Sequence, residues 1–187
     1  MRVYLDMDGV LCDFAGLILK KMNGYSKHPE TWKDMNSDIF KIMNKAVSSN
    51  KRNYFVLGDI MPDARQTASL NYMYRLIDGD VDFWVNLPWL QDGKKLWNYL
   101  KNYEDLYILT TPHDQASIYG KTHWIKDNLN FDMSKVIFEK QKENYANPNC
   151  VLIDDLFKNV SKFKFKGGEG IIHKNFNSTI KQLKAIL

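Results

Sequence analysis

Apolar residues fall along this chain in two rhythms. Short, nearly unbroken runs occur at Val3–Asp6 (VYLD), Leu106–Thr110 (LYILT), Val136–Glu139 (VIFE) and Val151–Asp154 (VLID), with a weaker fifth at Gly170–His173 (GIIH). A strand with one wet face alternates apolar and polar residues. A run that does not alternate predicts a strand covered on both faces, as in a parallel sheet. Between the runs the apolar spacing is helical. Gln91–Tyr103 puts Leu96, Trp97 and Leu100 on one face, and Gln115–Leu129 offers Ile118, Trp124, Ile125 and Leu129. Ser178–Leu187 spaces Ile180, Leu183 and Leu187 behind a Ser178 cap. Strands alternating with helices predict βαβ units, and hence an α/β fold with a doubly wound parallel sheet.

One interval breaks the rhythm. From Phe14 to Trp84 the chain is far too long for a single crossover, and a structureless loop of that length is implausible. It holds helix candidates at Phe14–Met22, Ile39–Val47 and Ala64–Ile77, and aromatic pairs at Tyr54-Phe55 and Phe83-Trp84. The expected organisation is a core of residues 1–13 and 85–187 with a small helical cap, residues 14–84, inserted after the first strand.

Composition narrows the class. The chain has 187 residues, 44% hydrophobic and 26% charged, which suits a soluble globular protein with a sizeable core. Its two cysteines, Cys12 and Cys150, lie far apart with no CxxC, which argues against a disulfide framework or a zinc site and suits a reducing compartment. No run approaches a membrane span, and Asp6 and Asp8 interrupt the first apolar run, so no signal peptide is expected. Membrane association is therefore not expected, and a cytoplasmic location is. The formal net charge is +4, but the lysines are scattered without a basic block. They read as a solvated surface rather than a nucleic-acid footprint. The oligomeric state stays open, a homodimer included.

The chemistry lies at the carboxyl ends of the strands. After the first come Asp6-Met7-Asp8-Gly9, after the second Thr110-Thr111-Pro112, after the third Lys140 and Lys142, and after the fourth Asp154-Asp155. In an open parallel sheet, ligands bind beyond these ends, so the groups converge on one edge. Convergent carboxylates repel unless a cation joins them. Oxygen ligands without His or Cys select a hard ion, and Mg²⁺ is expected. Ammonium and hydroxyl donors beside such an ion suit phosphate oxygens. An aspartate there is also available as a nucleophile that forms an aspartyl-phosphate.

These residues carry a resemblance. Asp6-Met7-Asp8-Gly9-Val10-Leu11, Thr110, a downstream lysine and Asp154-Asp155 resemble, in order, the four motifs of the haloacid dehalogenase superfamily. Within it, DMDGVLCDFAG, DFWVNLPWLQDG (Asp82–Gly93), ILTTP and VLIDD are similar to stretches of the 5'(3')-deoxyribonucleotidases. Residues 24–52 match poorly. The resemblance implies a Mg²⁺-dependent hydrolase that removes the 5' or 3' phosphate of deoxyribonucleoside monophosphates, its small-molecule nucleotide substrates. Another small phosphate ester or a nucleic-acid 3'-phosphate is the alternative.

The resemblance also implies roles. Asp6 would be the nucleophile. Asp8 would protonate the leaving oxygen and then activate water. The metal would be held by Asp6, the Asp8 carbonyl and one or both of Asp154 and Asp155. Thr110 and the Thr111 backbone would hold phosphate, neutralised by Lys142, with Lys140 and Lys121 as alternatives. Phe14, Tyr54 and Phe55 would contact the base, although Tyr54 and Phe55 suit a hydrophobic core within the cap equally well. His113 and His123 receive no role. Gly167-Gly168-Glu169-Gly170 reads as a turn, and Cys12 as a small buried residue.

Overall fold

The computed structural model describes residues 1–27, 37–50, 55, 56, 60 and 67–187. Among them five strands, β1 (Arg2–Leu5), β2 (Leu106–Thr110), β3 (Val136–Phe138), β4 (Cys150–Asp154) and β5 (Glu169–Ile172), form an all-parallel sheet in the order β3-β2-β1-β4-β5. The five apolar runs are thus the five strands, each within a residue or so of the predicted limits. From β1 the chain winds outward through β2 and β3, then returns to the other side of β1 for β4 and β5. The winding direction reverses between β1 and β4, where open α/β sheets place their ligand crevice.

Register makes that crevice. Leu5 is level with Ile153 across the β1–β4 ladder and with Ile108 across the β1–β2 ladder. The Asp6 amide continues the first ladder, donating to the Ile153 carbonyl at 2.9 Å. Asp6 therefore leaves β1 beside Asp154, the last residue of β4.

Both sheet faces are covered, unequally. Val3, Leu5, Leu106, Ile108, Val151, Ile153 and Ile171 face one way. They join a core with α5 (Gln91–Leu100), α6 (Gln115–Leu129) and α8 (Phe176–Ile186), through Leu96, Leu100, Trp124, Ile125, Ile180 and Leu183. Tyr4, Leu109, Cys150 and Leu152 face the other way, towards α7 (Phe157–Phe165) and a short 3-10 turn (Lys142–Tyr145). There the Tyr4 ring sits 5.9 Å from Tyr107, 5.8 Å from Tyr145 and 6.1 Å from Phe163, centroid to centroid.

The described part of the long insertion holds four helices: α1 (Phe14–Lys27), α2 (Ser37–Asn50), α3 (Thr67–Ile77) and α4 (Val81–Val85) precede α5. The predicted start of α3, residues 64–66, lies outside the described residues. Packing joins α2 to α3 and α3 to α1. Entry to the insertion and return from it touch. The Asp13 amide donates to the Pro88 carbonyl at 2.8 Å, and the Leu90 amide to the Leu11 carbonyl at 2.9 Å, around an antiparallel Cys12–Trp89 bridge. Further on, α4 lies against α6. Gly120 permits this approach, because a Cβ there would overlap Trp84 Cβ and come 3.0 Å from the Val81 carbonyl.

Two local expectations change. The cap of α8 is Asn175 rather than Ser178: its side chain accepts from the Ser178 amide at 2.9 Å, so Ser178 already lies in the first turn. Helix α7 has no counterpart among the predicted elements, because only Val160 and Phe163 of its residues are buried. The GGEG stretch splits into a turn at Gly167, with φ +91, and the start of β5 at Glu169.

Candidate active site

Asp6 is 5% exposed at the end of β1. Its Oδ1 accepts from the Met7 amide at 2.7 Å and from Lys142 Nζ at 2.7 Å, which fixes the carboxylate's orientation. Lys142, buried in the turn after β3, also reaches Asp154 Oδ2 at 2.6 Å. Asp154 is fully buried, and both its oxygens are engaged: Oδ1 by the Leu156 amide at 2.8 Å, and both by Asn159 Nδ2 at 3.2 and 3.0 Å. The Leu156 amide that Asp154 holds belongs to the residue preceding α7, so the carboxylate also fixes the turn from β4 into that helix. Asp155 lies against the Asp8-Gly9 turn so closely that a Cβ on Gly9, whose φ is +73, would overlap its carboxylate. Asp6, Asp154 and Asp155 each present an oxygen within 4.8 Å of the others.

On the β2 side stands a second buried lysine. Lys121, in α6 and fully buried, places Nζ 2.6 Å from Asp8 Oδ2, 3.0 Å from Thr110 Oγ1 and 2.9 Å from the Thr111 carbonyl. The Trp84 ring covers it, its centroid 5.0 Å from Nζ. Cys12 is buried as expected, and its thiol points to Asp8 Oδ1 at 3.6 Å.

The electrostatics follow from this crowding. Burial pushes Asp6 well above the usual carboxylate range. Lys142 opposes that, while the charges of Asp154, Asp8 and Asp155 add to it. Burial and then the Asp154 charge push Asp155 up to about 7. Burial works against the Lys142 ammonium, but Asp6 and Asp154 outweigh it, so its pKa is raised. Were all four carboxylates ionised they would exceed the two ammonium groups by two charges, and burial with this repulsion is what favours protons on Asp6 and Asp155. The donor set is all oxygen, and a divalent cation would offset the charge that those protons otherwise remove, so the residues present fit Mg²⁺.

The sequence-predicted residues divide. Asp6, Asp8, Thr110, Lys142, Asp154 and Asp155 come together. Lys121 joins them, but at Asp8. Thr111 is exposed and turns its hydroxyl to the Glu139 carbonyl at 3.3 Å, leaving its backbone at the site. Lys140 stays exposed two residues before Lys142. Phe14 stacks on Trp84 at 5.6 Å and meets the edge of Phe83 at 5.7 Å. Phe55 is buried beside Tyr72, ring centroids 5.4 Å apart, and both its backbone polar groups bond Asn23. For this residue the core packing holds, rather than the base contact. Tyr54 lies outside the described residues. His113 bonds Asp78 at 2.7 Å and stacks on Tyr74, a contact between α3 and the β2–α6 loop. Sequence reasoning missed Asn159 because it missed α7; an Asn in the first turn after a strand-end Asp would have been the signal. An open groove between α1 and α4 is lined by Leu17, Lys20, Lys21, Asp80, Phe83 and Asn86 and contains none of these carboxylates.

The fold is shared with solved hydrolases. A hydrolase from Streptococcus pneumoniae TIGR4 aligns over 98% of this chain and 97% of its own at a TM-score of 0.51 and 9% identity. A haloacid dehalogenase-like hydrolase from Burkholderia xenovorans LB400 aligns over 87% of this chain and 75% of its own, at a TM-score of 0.50 and 11% identity. No family model matches the sequence, and no curated protein matches it. At such identities the likeness is one of fold.

Proposed function

We propose that this chain is a Mg²⁺-dependent phosphomonoesterase of the haloacid dehalogenase type that hydrolyses deoxyribonucleoside monophosphates through an aspartyl-phosphate. The observation that carries the proposal is the convergence of Asp6, Asp154 and Asp155 oxygens within 4.8 Å of one another, with Lys142 bridging Asp6 and Asp154. Asp6, the Asp8 carbonyl and Asp155 would hold the ion, with Asp154 behind them already committed to Lys142 and Asn159. The ion would supply charge neutralisation, both for the crowded carboxylates and for the phosphoryl oxygens.

The chain's own groups then divide the work. Asp6, held by the Met7 amide and Lys142, attacks phosphorus in line with the ester oxygen. Lys142 and the β2 end at Thr110-Thr111 face the phosphoryl oxygens. Asp8 gives a proton to the leaving oxygen, then takes one from the water that hydrolyses the aspartyl-phosphate. Residues 14–84 act as a cap that excludes water, and the partly exposed Phe14 ring, backed by Phe83 and Trp84, offers a contact to a base.

The test is turnover of dUMP, dTMP, dGMP, AMP, a 3'-phosphorylated oligonucleotide and an aryl phosphate, with Mg²⁺ or with EDTA. Nucleotide hydrolysis silenced by EDTA is expected. Asp6→Asn is expected to abolish turnover while the circular dichroism spectrum stays unchanged. Full activity of that variant would refute nucleophilic catalysis. The second reading, another small phosphate ester, is favoured by the burial of Phe55, which removes one residue from the base-contacting set. It predicts that the aryl phosphate is hydrolysed and the nucleotides are not.

A further inference from the structure

The carboxylates at the end of β1 each have their own buried ammonium. Lys142 bonds Asp6 and Asp154. Lys121 bonds Asp8 and the end of β2. A surface lysine moves freely on its four-carbon stem, but Lys121 does not have that freedom. It is fully buried in α6, Trp84 packs over its Nζ, and three oxygens within 3.0 Å take its three N–H donors. Gly120, the residue before it, lets α4 descend far enough to put Trp84 there. The side chain is thus built into one geometry, with one oxygen of Asp8 included in it.

We infer that Lys121 is the positioning residue for Asp8. It anchors Oδ2 to the end of β2, so that Oδ1, the oxygen beside Cys12, is the one that exchanges a proton with the leaving oxygen and then with water. The inference rests on the phosphatase reading above. It gives the two ammonium groups different roles. Lys142 serves the nucleophile and the phosphoryl oxygens, and Lys121 serves the leaving-group side. In the first step the proton passes from Asp8 to the ester oxygen as the P–O bond breaks and the Asp6–phosphorus bond forms. In the second step Asp8 recovers a proton from water as that water's oxygen bonds phosphorus and releases Asp6.

Leaving-group dependence tests this. Proton donation matters for an alkyl phosphate, whose leaving alkoxide is strongly basic, and little for an aryl phosphate such as p-nitrophenyl phosphate. The constant kcat/KM covers steps up to and including transfer to Asp6, so it isolates the first proton transfer. Lys121→Met keeps the stem and removes the donors. Its kcat/KM for an alkyl phosphate is expected to fall about tenfold or more below its kcat/KM for the aryl ester, relative to wild type. In an Asp8→Asn background, Lys121→Met is expected to leave that ratio unchanged, because the positioned group is already gone. Equal losses on both esters, or a raised KM with the ratio intact, would overturn the inference in favour of a structural or direct phosphate-binding role. If Lys121→Met does not fold, Lys121→Gln, which is one atom shorter and uncharged but still polar, replaces it in the same comparison. Failure of the wild type to hydrolyse either ester counts against the phosphatase reading instead, so the two failures are distinct.

Discussion

Gly9 occupies the tightest backbone position of the site. Its φ of +73 lies in the left-handed region, where an L side chain costs about 1–2 kcal/mol, and a Cβ would also overlap the Asp155 carboxylate. Gly9→Ala is therefore expected to lower the melting temperature and to abolish the proposed Mg²⁺-dependent turnover by displacing Asp155; an alanine variant of wild-type activity would contradict this packing. Asp155 also gives the apo protein a pH signature. Its folded value is about 7, whereas an unfolded carboxylate titrates near 4. Between those values the folded chain keeps a proton that the unfolded chain has released. Stability from this group is thus present in acid and lost as pH rises through about 7, and buried Asp6 acts in the same direction. In EDTA the melting temperature is expected to fall from about pH 5 to about pH 7.5. Added Mg²⁺ should raise it more at the higher pH, where it need not compete with protons. An equal Mg²⁺ gain at both pH values would count against these carboxylates as the ligands. At this scale the acids are legible in the sequence, because each comes directly after an apolar run. Lys142 is legible in the same way, after the third run, but the pairing of Lys121 with Asp8 is not: they are 113 positions apart, and only the fold, which sets Lys121 of α6 against the end of β2, brings them together.

Among the elements, α4 and α6 are the pair on which the site most depends. Their approach needs a residue without a side chain at Gly120. Gly120→Ala is expected to destabilise the fold by about 1–3 kcal/mol through overpacking, read as a lower urea midpoint. It should also reduce turnover, since Trp84 moves off Lys121; an unchanged midpoint and rate would place the helices further apart than described. Legibility differs with the strength of the apolar signal. Helix α6 is legible to its limits because Trp124, Ile125 and Leu129 mark one face. Helix α7 escapes notice because Phe157 and Phe165, its most prominent apolar residues, point to solvent, so its sequence shows no single apolar face. At α8 two nearby candidates, Asn175 and Ser178, could each cap the helix. Geometry alone distinguishes a residue that accepts from the third amide from the residue that supplies it.

For the molecule as a whole, the doubly wound sheet is legible because covered strands do not alternate, but the strand order is not. That order places β4 directly beside β1 and so sets Asp154 next to Asp6. Among the described residues no helix is long and apolar enough to cross a membrane. The clasp of Asp13 with Pro88 and of Leu11 with Leu90 reaches beyond the site itself. Since the two crossing points already touch, the seventy-odd residues they enclose could be excised and the ends rejoined by a few residues of turn. Such a shortened chain would keep all strands of the parallel sheet and each strand-end acid, yet open the ammonium above Thr110 to bulk water.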